Sequence, residues 1–251
     1  MIKIHINTKY SQLNEFVEQL PHRFEEQGKT LFKKRNEIKV IHTDGFDVNV
    51  KSFKVPHLVN RVAYAYFRGS KAKHSFEYAQ RLIELGVHTP DPIAWIETYK
   101  SGLFRHGYYV SLQYNYDFTI RDLIGFDFPD KENILRQFTR FTFEKLHCNG
   151  VHHLDYSRGN ILIARRDNGY DFSIVDINRM RFERMGYLKG LSNFAQIWAG
   201  EKELEIIARE YALLNDKDPD EAVELLIQFD RKHKEHINRK KRFKKKWLKR
   251  G

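Results

Sequence analysis

The chain has 251 residues, of which 41% are hydrophobic and 14% aromatic, a composition that excludes a disordered protein and suffices for a buried core. The single cysteine, Cys148, excludes an internal disulfide and favours a reducing compartment. The net charge is +11, the N-terminus lacks the apolar stretch of a signal peptide, and no run of 18 apolar residues could cross a membrane. We therefore expect a soluble cytoplasmic protein with one domain or two packed lobes.

The N-terminal part of the chain is predicted to consist mainly of strands. A strand and an amphipathic helix occupy residues 1–25, which we interpret as an N-terminal extension. The next two predicted strands, EIKVIHT and FDVNVKSF, flank Asp44-Gly45, a pair typical of a type I′ hairpin. A strand-rich lobe is therefore expected to begin after the extension.

One strong helix and two further strands are predicted to complete this lobe. Residues 70–86 place apolar side chains at helical spacing and end at Gly86, a helix-stop signal. The strands IAWIETY and GYYVSLQY follow, and we expect them to be joined through Gly102 and Gly107. The strand-rich lobe then spans residues 26–115.

After residue 115 the pattern becomes helical. The segments TIRDLIGF and KENILRQFTRFTFEKLHCNG are predicted helices, and the last third of the chain also has helical spacing. Between these regions, Asn168-Gly169 separates ILIAR from YDFSIVDI and predicts a second hairpin. We therefore expect a mainly helical lobe over residues 116–230.

The positive charge lies almost entirely at the C-terminal end, in residues 231–251. This tail holds 12 of the 44 Lys and Arg residues but only one of the 33 Asp and Glu residues, Glu235. The rest of the chain, with 32 residues of each sign, is electrically neutral. A neutral body with a basic tail is therefore expected, and the tail needs an explanation of its own.

The spacing His153-x-Asp155-x4-Asn160, followed by the hairpin and then Asp176, is the pattern that phosphoryl transfer requires. One carboxylate must orient the acceptor hydroxyl and take its proton, whereas an amide oxygen and a second carboxylate must hold Mg²⁺ against the nucleotide phosphates. The hairpin is expected to fold Asp176 back towards the loop that carries Asp155 and Asn160.

The same chemistry needs a lysine on a strand and a glutamate on the helix that follows, to hold the nucleotide phosphates. Lys51 ends VNVK in a predicted strand, and Glu77 lies in the first predicted helix after it. Lys54 is a close alternative to Lys51. Because side chains alternate along a strand, Lys51 and Lys54 cannot both point into one site.

Several segments resemble the protein-kinase-like fold. HLDYSRGN resembles the kinase catalytic loop, VDIN resembles the magnesium-binding segment usually written Asp-Phe-Gly, and VNVK resembles the strand that carries the phosphate-anchoring lysine. More narrowly, RVAYAYFRGSKAKHSFEYAQRLIELGVHTPDPIAWIE and HLDYSRGNILI with IVDINRMRF are similar to bacterial lipopolysaccharide kinases, which phosphorylate heptose or 3-deoxy-octulosonic acid (Kdo).

The resemblance implies a bilobal α+β fold, with a strand-rich N-lobe that contains one key helix and a mainly helical C-lobe. It also implies an ATP- and Mg²⁺-dependent kinase whose partner is a lipopolysaccharide core glycolipid. The implied roles are these: Asp155 as catalytic base, His153 and Arg158 as loop support, Asn160 and Asp176 as metal ligands, and Lys51, Glu77 and Gln113 as nucleotide contacts.

Three departures from the kinase pattern bear on these roles. No glycine-rich loop precedes Lys51, and Lys33, Lys34 or Arg35 are candidates to replace it with side-chain charge. The segment after Asp176 ends in Asn178 rather than Gly, a residue that tolerates left-handed backbone. The long activation segment of eukaryotic protein kinases is also absent, which favours a small-molecule or glycolipid kinase over a regulated protein kinase.

Two matters stay open at this point. The missing glycine-rich loop also fits a pseudokinase scaffold, and the acceptor could be another small molecule or a protein. The basic tail, residues 231–251, could bind an anionic membrane surface, for which Phe243 and Trp247 are suitable residues, or nucleic acid, which we consider unlikely, or nothing. The membrane interpretation predicts a cytoplasmic protein held peripherally at the inner face of the bacterial inner membrane.

Overall fold

The structure, a computed structural model, describes residues 1–53, 64 and 69–248, with side chains as far as residue 243. It divides into two compact units. Unit 1 comprises Met1–Asn115 with Asp176–Arg179, and unit 2 comprises Tyr116–Val175 with Met180–Gly251. The alternative phosphate anchor Lys54 lies outside the described residues.

Unit 1 contains one six-stranded antiparallel sheet, in the order β1-β5-β6-β4-β3-β2. The first strand of the chain thus pairs with β5. The strands are β1 (Ile2–Ile6), β2 (Lys29–Lys33), β3 (Glu37–Thr43), β4 (Phe46–Phe53), β5 (Pro92–Lys100) and β6 (Leu103–Leu112). A 3-10 helix (Thr8–Leu13) leads into α1 (Asn14–Arg23), and α2 is Lys71–Glu84.

Helices α1 and α2 pack on opposite faces of the sheet. Val48 and Val50 share a buried cluster with Val17 and Leu20 of α1. Because side chains alternate along β4, Lys51 and Phe53 face the other way. Phe53 pairs with Gly107 of β6, where an added Cβ would lie 3.3 Å from the Cβ of Ala72 in α2. The face that carries Lys51 is therefore the face that α2 covers.

The local turn signals in unit 1 are confirmed with one correction. Asp44 and Gly45 both have positive φ, 47° and 77°, as a type I′ turn requires. Ser101 and Gly102 make the turn between β5 and β6 in the same way. Gly107, predicted to join these two strands, instead lies inside β6, where its missing Cβ makes room for α2.

Unit 2 is mainly helical, with two small sheets. Its helices are α3 (Ile120–Leu123), α4 (Lys131–Phe141), a π-helical turn (Thr142–His147), α5 (Tyr187–Asn193), a 3-10 turn (Phe194–Ile197), α6 (Glu201–Leu213) and α7 (Pro219–Leu248). Its strands are β7 (Phe118–Thr119), β8 (Val151–His153), β9 (Ile161–Arg166), β10 (Gly169–Ile174) and β11 (Met180–Phe182). The predicted α+β architecture is confirmed.

The second hairpin is also confirmed, since β9 and β10 pair along their whole length. Its turn residues are Asp167 and Asn168, while Gly169 pairs with Arg166 as the first residue of β10. Helix α7 continues into the basic tail without a break. Among the helices in the described part of the chain, none combines the length and the apolar composition needed to cross a membrane.

Candidate active site

The loop between β8 and β9 carries Asp155 and is held in place by buried residues. His153 at the end of β8 is fully buried, and its Nε2 donates a hydrogen bond to the carbonyl of Val175 (3.2 Å). Its Nδ1 accepts the backbone N–H of Asp155 (3.1 Å). Because one ring nitrogen donates and the other accepts, the contacts match a neutral imidazole that ties the loop to the end of the β9–β10 hairpin.

A second anchor lies immediately after Asp155. Tyr156 is fully buried, its hydroxyl contacts the hydroxyl of Thr142 (2.8 Å), and its ring packs on Phe138 and Phe194 with centroids 5.9 and 6.5 Å away. Burial raises the pKa of this phenol. Asp155 itself is half-buried. A half-buried side chain thus lies between two buried ones, His153 and Tyr156, that fix its backbone.

Two amide side chains downstream hold the same loop, and no local pattern in the sequence pointed to them. Gln196 accepts the backbone N–H of Tyr156 (3.0 Å), and the amide nitrogen of Asn193 donates to the carbonyl of His153 (3.1 Å). Both lie some 40 residues after the loop. They support the backbone on either side of Asp155.

The support of Asn193 extends into the interior of unit 2. His147 is buried, its Nδ1 accepts from the Tyr211 hydroxyl (2.9 Å), and its Nε2 donates to the amide oxygen of Asn193 (3.4 Å). Burial lowers the pKa of His147 to about 4, because the charged imidazolium would lose its hydration. The His147 ring is therefore neutral at pH 7. The series of hydrogen bonds that runs from Tyr211 through His147 and Asn193 to the loop thus contains no charged group.

Asn160 lies beside Asp155, as the spacing predicted. Its amide nitrogen donates to the Asp155 carbonyl (2.9 Å), and its own carbonyl accepts the N–H of Val175 (2.9 Å). Since the amide nitrogen is engaged inside the loop, the amide oxygen is the end that can accept a cation.

Arg158 lies in the same turn, where its carbonyl accepts the N–H of Arg121 at the start of α3 (2.9 Å). An added Cβ at the next residue, Gly159, would lie 2.3 Å from the Arg121 guanidinium, so the Arg121 side chain would have to move. The contact that fixes this part of the loop is thus made by the Arg158 backbone.

In unit 1 the structure pairs Lys51 with Asp176. Lys51 is only 9% exposed, and its Nζ lies 2.7 Å from the Oδ1 of Asp176. The amide nitrogen of Asn178 donates to the same oxygen. Asp176 itself has the left-handed backbone (φ 57°) that the sequence had suggested for Asn178. The two residues expected to handle phosphate and metal are therefore in direct contact.

Glu77 is placed elsewhere. It is exposed, its Oε1 lies 3.7 Å from the Nζ of Lys73, and among the described residues no ion pair joins it to Lys51. The reason is the rotation of α2. Glu77 comes six residues after Lys71, and is therefore turned about 120° around the helix from it. The charges of both Lys51 and Asp176 act on Lys71, the first residue of α2.

Lys71 lies among charges of its own sign. Burial is the largest influence lowering its pKa, followed by the charges of Arg35 and Arg179, while Asp176 acts in the opposite direction. Arg35 belongs to the turn between β2 and β3, where the glycine-rich loop of a kinase is missing. Lys33 beside it is exposed and pairs with Glu37 (3.0 Å).

Gln113 follows β6, and its side chain is engaged within unit 1. Its amide oxygen accepts from Asn49 (2.8 Å), its amide nitrogen donates to the Tyr114 carbonyl (3.0 Å), and its N–H donates to the carbonyl of Asp47 (2.8 Å). These three bonds fix the segment that ends unit 1.

The predicted metal ligands are chemically suited to Mg²⁺. Asn160 offers an amide oxygen and Asp176 a carboxylate, and Mg²⁺ prefers such hard oxygen ligands and keeps part of its water shell. Within the described residues, no cluster of three or more His, Cys, Asp or Glu side chains forms a ready metal cage. The donor set fits a metal brought in with nucleotide phosphates better than a permanently held ion.

Comparison with known proteins identifies the fold. No family model matches the chain, and no curated protein matches its sequence. Among solved structures, WaaP in complex with acyl carrier protein matches 93% of this chain and 98% of its own, with a TM-score of 0.61 and 16% identity. The chain has the protein-kinase-like fold. A Rio2 kinase–ADP/Mg²⁺–phosphoaspartate complex from Chaetomium thermophilum gives a TM-score of 0.48 at 17% identity, over 89% of this chain and 71% of that one.

Proposed function

We propose that the protein is an ATP- and Mg²⁺-dependent kinase that phosphorylates a sugar hydroxyl, of Kdo or heptose, in the lipopolysaccharide inner core. One observation carries the proposal. Asp155 lies on a loop whose backbone is held by two fully buried side chains, His153 and Tyr156. The WaaP-like fold and the resemblance to lipopolysaccharide kinases support the acceptor class.

In this proposal each residue has a distinct role. Asp155 would align the acceptor hydroxyl and take its proton as the acceptor oxygen bonds to the γ-phosphorus of ATP and the bond from that phosphorus to the leaving ADP breaks. Lys51 contacts the nucleotide phosphates, and Asn160 and Asp176 hold the Mg²⁺, which would neutralise charge on the transferred group. Positioning and charge neutralisation would supply most of the rate enhancement, as is general for phosphoryl transfer.

The other two predicted nucleotide contacts, Gln113 and Glu77, would act less directly than Lys51. Gln113 would act through its backbone, because both ends of its side-chain amide are already engaged. Glu77 would act only indirectly, by holding Lys73 near the start of α2. Arg158 and His153 would support the loop and take no part in proton transfer.

The test is phosphate transfer from Mg-ATP to a Kdo-containing lipid A precursor by the full-length protein. A phosphorylated lipid is expected, and its formation should stop when EDTA removes the metal. A lipid-free sugar or antibiotic acceptor assayed in parallel defines the acceptor class. Product on the lipid-free acceptor alone would replace the lipopolysaccharide proposal with a small-metabolite kinase.

A pseudokinase is the second candidate, and the turn between β2 and β3 favours it. The stretch from Lys29 to Asp44 contains no glycine, so the backbone cradle of a typical kinase is missing. Mg²⁺-dependent ATP binding fits both proposals, whereas phosphate transfer to any acceptor fits only the kinase. Folded protein that binds Mg-ATP and gives no product on any acceptor would favour the pseudokinase.

We also propose that residues 231–251 attach the protein to an anionic membrane, at the inner face of the bacterial inner membrane. Residues 238–243 of α7 are all exposed, and Phe243, 62% exposed, follows four consecutive basic residues. Each Lys or Arg near an anionic surface contributes about 1 kcal/mol to binding. Glutamate at Arg239, Lys240 and Arg242 should abolish sedimentation with anionic vesicles; loss of RNA binding instead would support a nucleic-acid partner.

A further inference from the structure

Unit 1 contains a cavity that the proposed phosphoryl-transfer site does not use. It has a volume of about 470 Å³ and lies between α1, the end of β3 and the turn that leads from α1 into β2. Sites for small molecules typically have volumes of about 300–1,000 Å³. The lining includes Ile41 of β3, which belongs to the buried cluster shared with α1. Because Lys51 faces the other side of the sheet, the cavity is separate from the residues proposed to contact the nucleotide.

A buried lysine fixes the wall of the cavity that follows α1. Lys39 is 4% exposed, and its Nζ donates hydrogen bonds to the carbonyls of Phe24 (2.7 Å) and Glu25 (3.0 Å). Carbonyls at the end of a helix lack partners within the helix, and here the lysine supplies one. These bonds hold the turn that carries Gln27 and Gly28, two residues of the cavity wall.

Gly28 allows this turn to lie directly against β3. Its φ of 77° is in the left-handed region, and an added Cβ would lie 2.5 Å from the Cγ1 of Ile41 and 2.6 Å from the carbonyl oxygen of Val40. Glycine is the residue that permits both this backbone conformation and this close approach. The shape of this end of the cavity therefore depends on packing within the chain and needs no ligand to form.

The polar groups at the cavity include both hydrogen-bond donors and acceptors. Glu15, Gln19 and Arg23 are spaced four residues apart along one side of α1, and each is exposed or half-buried. The Nε2 of Gln19 donates to the Oε1 of Glu15 (2.9 Å), which leaves the amide oxygen and the second carboxylate oxygen as acceptors. Among the described residues, none forms a hydrogen bond or ion pair with the Arg23 guanidinium or the Gln27 amide. These two side chains can therefore donate to a ligand.

This set of groups fits an uncharged ligand with many hydroxyls better than an ion. The carboxylates of Glu15 and Asp44 would repel an anion, while a cation would meet the Arg23 guanidinium. A sugar hydroxyl both donates and accepts, so it can bond a carboxylate or amide oxygen together with a guanidinium or amide nitrogen. The half-buried ring of Phe16 supplies an apolar wall for the C–H face of a sugar ring.

We infer that this cavity is a carbohydrate site, which takes a neutral sugar ring. It lies on the face of the sheet opposite Lys51, so a sugar held there would not be the one that receives phosphate. The inference goes beyond the proposed kinase function and does not rest on it. A single sugar ring has about a dozen non-hydrogen atoms, and the expected Kd is therefore on the order of 1 mM.

The experiment records amide NMR spectra of the isotopically labelled full-length protein during titration with methyl glucoside and with methyl heptoside. At least one of the two sugars should shift the amide signals of Gly28 and Thr43, which both line the cavity. Spermidine and inorganic phosphate are titrated in parallel as probes of a cation site and an anion site. Shifts of these signals by an ion and by neither sugar would overturn the inference, as would no shift with any probe.

Two variants and a matched control locate the binding. Arg23→Ala and Gln27→Ala should each weaken sugar binding about tenfold, the scale of a lost hydrogen bond. Glu26→Ala, at an exposed residue of the same turn that does not line the cavity, should bind as the wild type does. Wild-type affinity in both cavity variants would overturn the inference.

Thermal unfolding of the same variants separates binding from a structural role. Since Arg23 and Gln27 make no side-chain bonds within the described part of the chain, both variants should melt close to the wild-type temperature. Loss of affinity together with a much lower melting temperature would indicate a structural role and would overturn the inference. Sugar binding by a protein without phosphate transfer would uphold the site while the kinase proposal fails, and transfer by a protein that binds neither sugar at these amides would do the reverse.

Discussion

The candidate site residues of unit 2, the neutral half, and those of unit 1, the charged half, are held by different physical interactions. In unit 2, the loop around Asp155 is held by neutral hydrogen bonds from the buried His153 and Asn193 and the half-buried Gln196. In unit 1, Lys51 is held by charge, in an ion pair with Asp176. Under the proposed function, the neutral half would align the acceptor and the charged half would contact the nucleotide.

The largest effect is expected for Lys51→Met, which breaks the charged half. The substitution leaves Asp176 without its 2.7 Å partner and removes the contact proposed for the phosphates. Transfer activity should fall at least about a hundredfold, equivalent to roughly 3 kcal/mol of transition-state stabilisation. Steady-state kinetics against Lys100→Met, an exposed lysine of β5 in the same unit, check this. Equal activity of the two variants would contradict the role of Lys51.

Low pH should destabilise the neutral half, because it protonates His147 in the unfolded state. The pKa of His147 is about 4 in the folded protein and near 6.5 when unfolded, so below pH 6.5 the unfolded state takes up a proton first. Folding stability should therefore fall as the pH drops from about 6.5 to 4, by about 3 kcal/mol from this residue. Urea unfolding at several pH values, wild type beside His147→Gln, should show a shallower slope in the variant.

A smaller effect on catalysis is expected from Gln196. Gln196→Met keeps the shape of the side chain but leaves the Tyr156 N–H without an acceptor, a loss of about 1–3 kcal/mol. We expect kcat to fall about tenfold with the KM for ATP unchanged, because the change acts on the loop and not on the phosphates. Gln196→Glu, which keeps an acceptor oxygen, should restore kcat. A rise in KM for ATP would contradict the division between the two halves.

The smallest effect is expected at the turn between β3 and β4. Gly45→Ala puts a side chain on a residue with φ 77°, although nothing lies within 4 Å of the added Cβ. The cost should be the backbone strain alone, about 1 kcal/mol. Thermal unfolding should show a modestly lower midpoint, while transfer activity stays at the wild-type level. A large loss of activity would show that this turn is part of the site.

The sequence predicted what short stretches of chain determine. The turn at Asp44 and Gly45 and the placing of Asn160 beside Asp155 depend on neighbouring residues and are confirmed. Glu77 was expected to pair with Lys51, but in the structure it lies beside Lys73. The face that α2 turns to the sheet depends on a close approach to Gly107 of β6, and no local pattern in the sequence indicates that contact. Asn193 could not be predicted either, because its contact with His153 spans 40 residues.

The most direct test of the central claim is Asp155→Asn, with phosphate transfer and ATP affinity measured on the same protein. The substitution keeps the backbone hydrogen bond between Asp155 and His153 and replaces the carboxylate proposed to take the proton. Product formation should fall by about 10²–10⁴-fold, the usual contribution of a general base, while the Kd for Mg-ATP stays unchanged. Full activity in the variant, or a parallel loss of ATP affinity, would contradict the account.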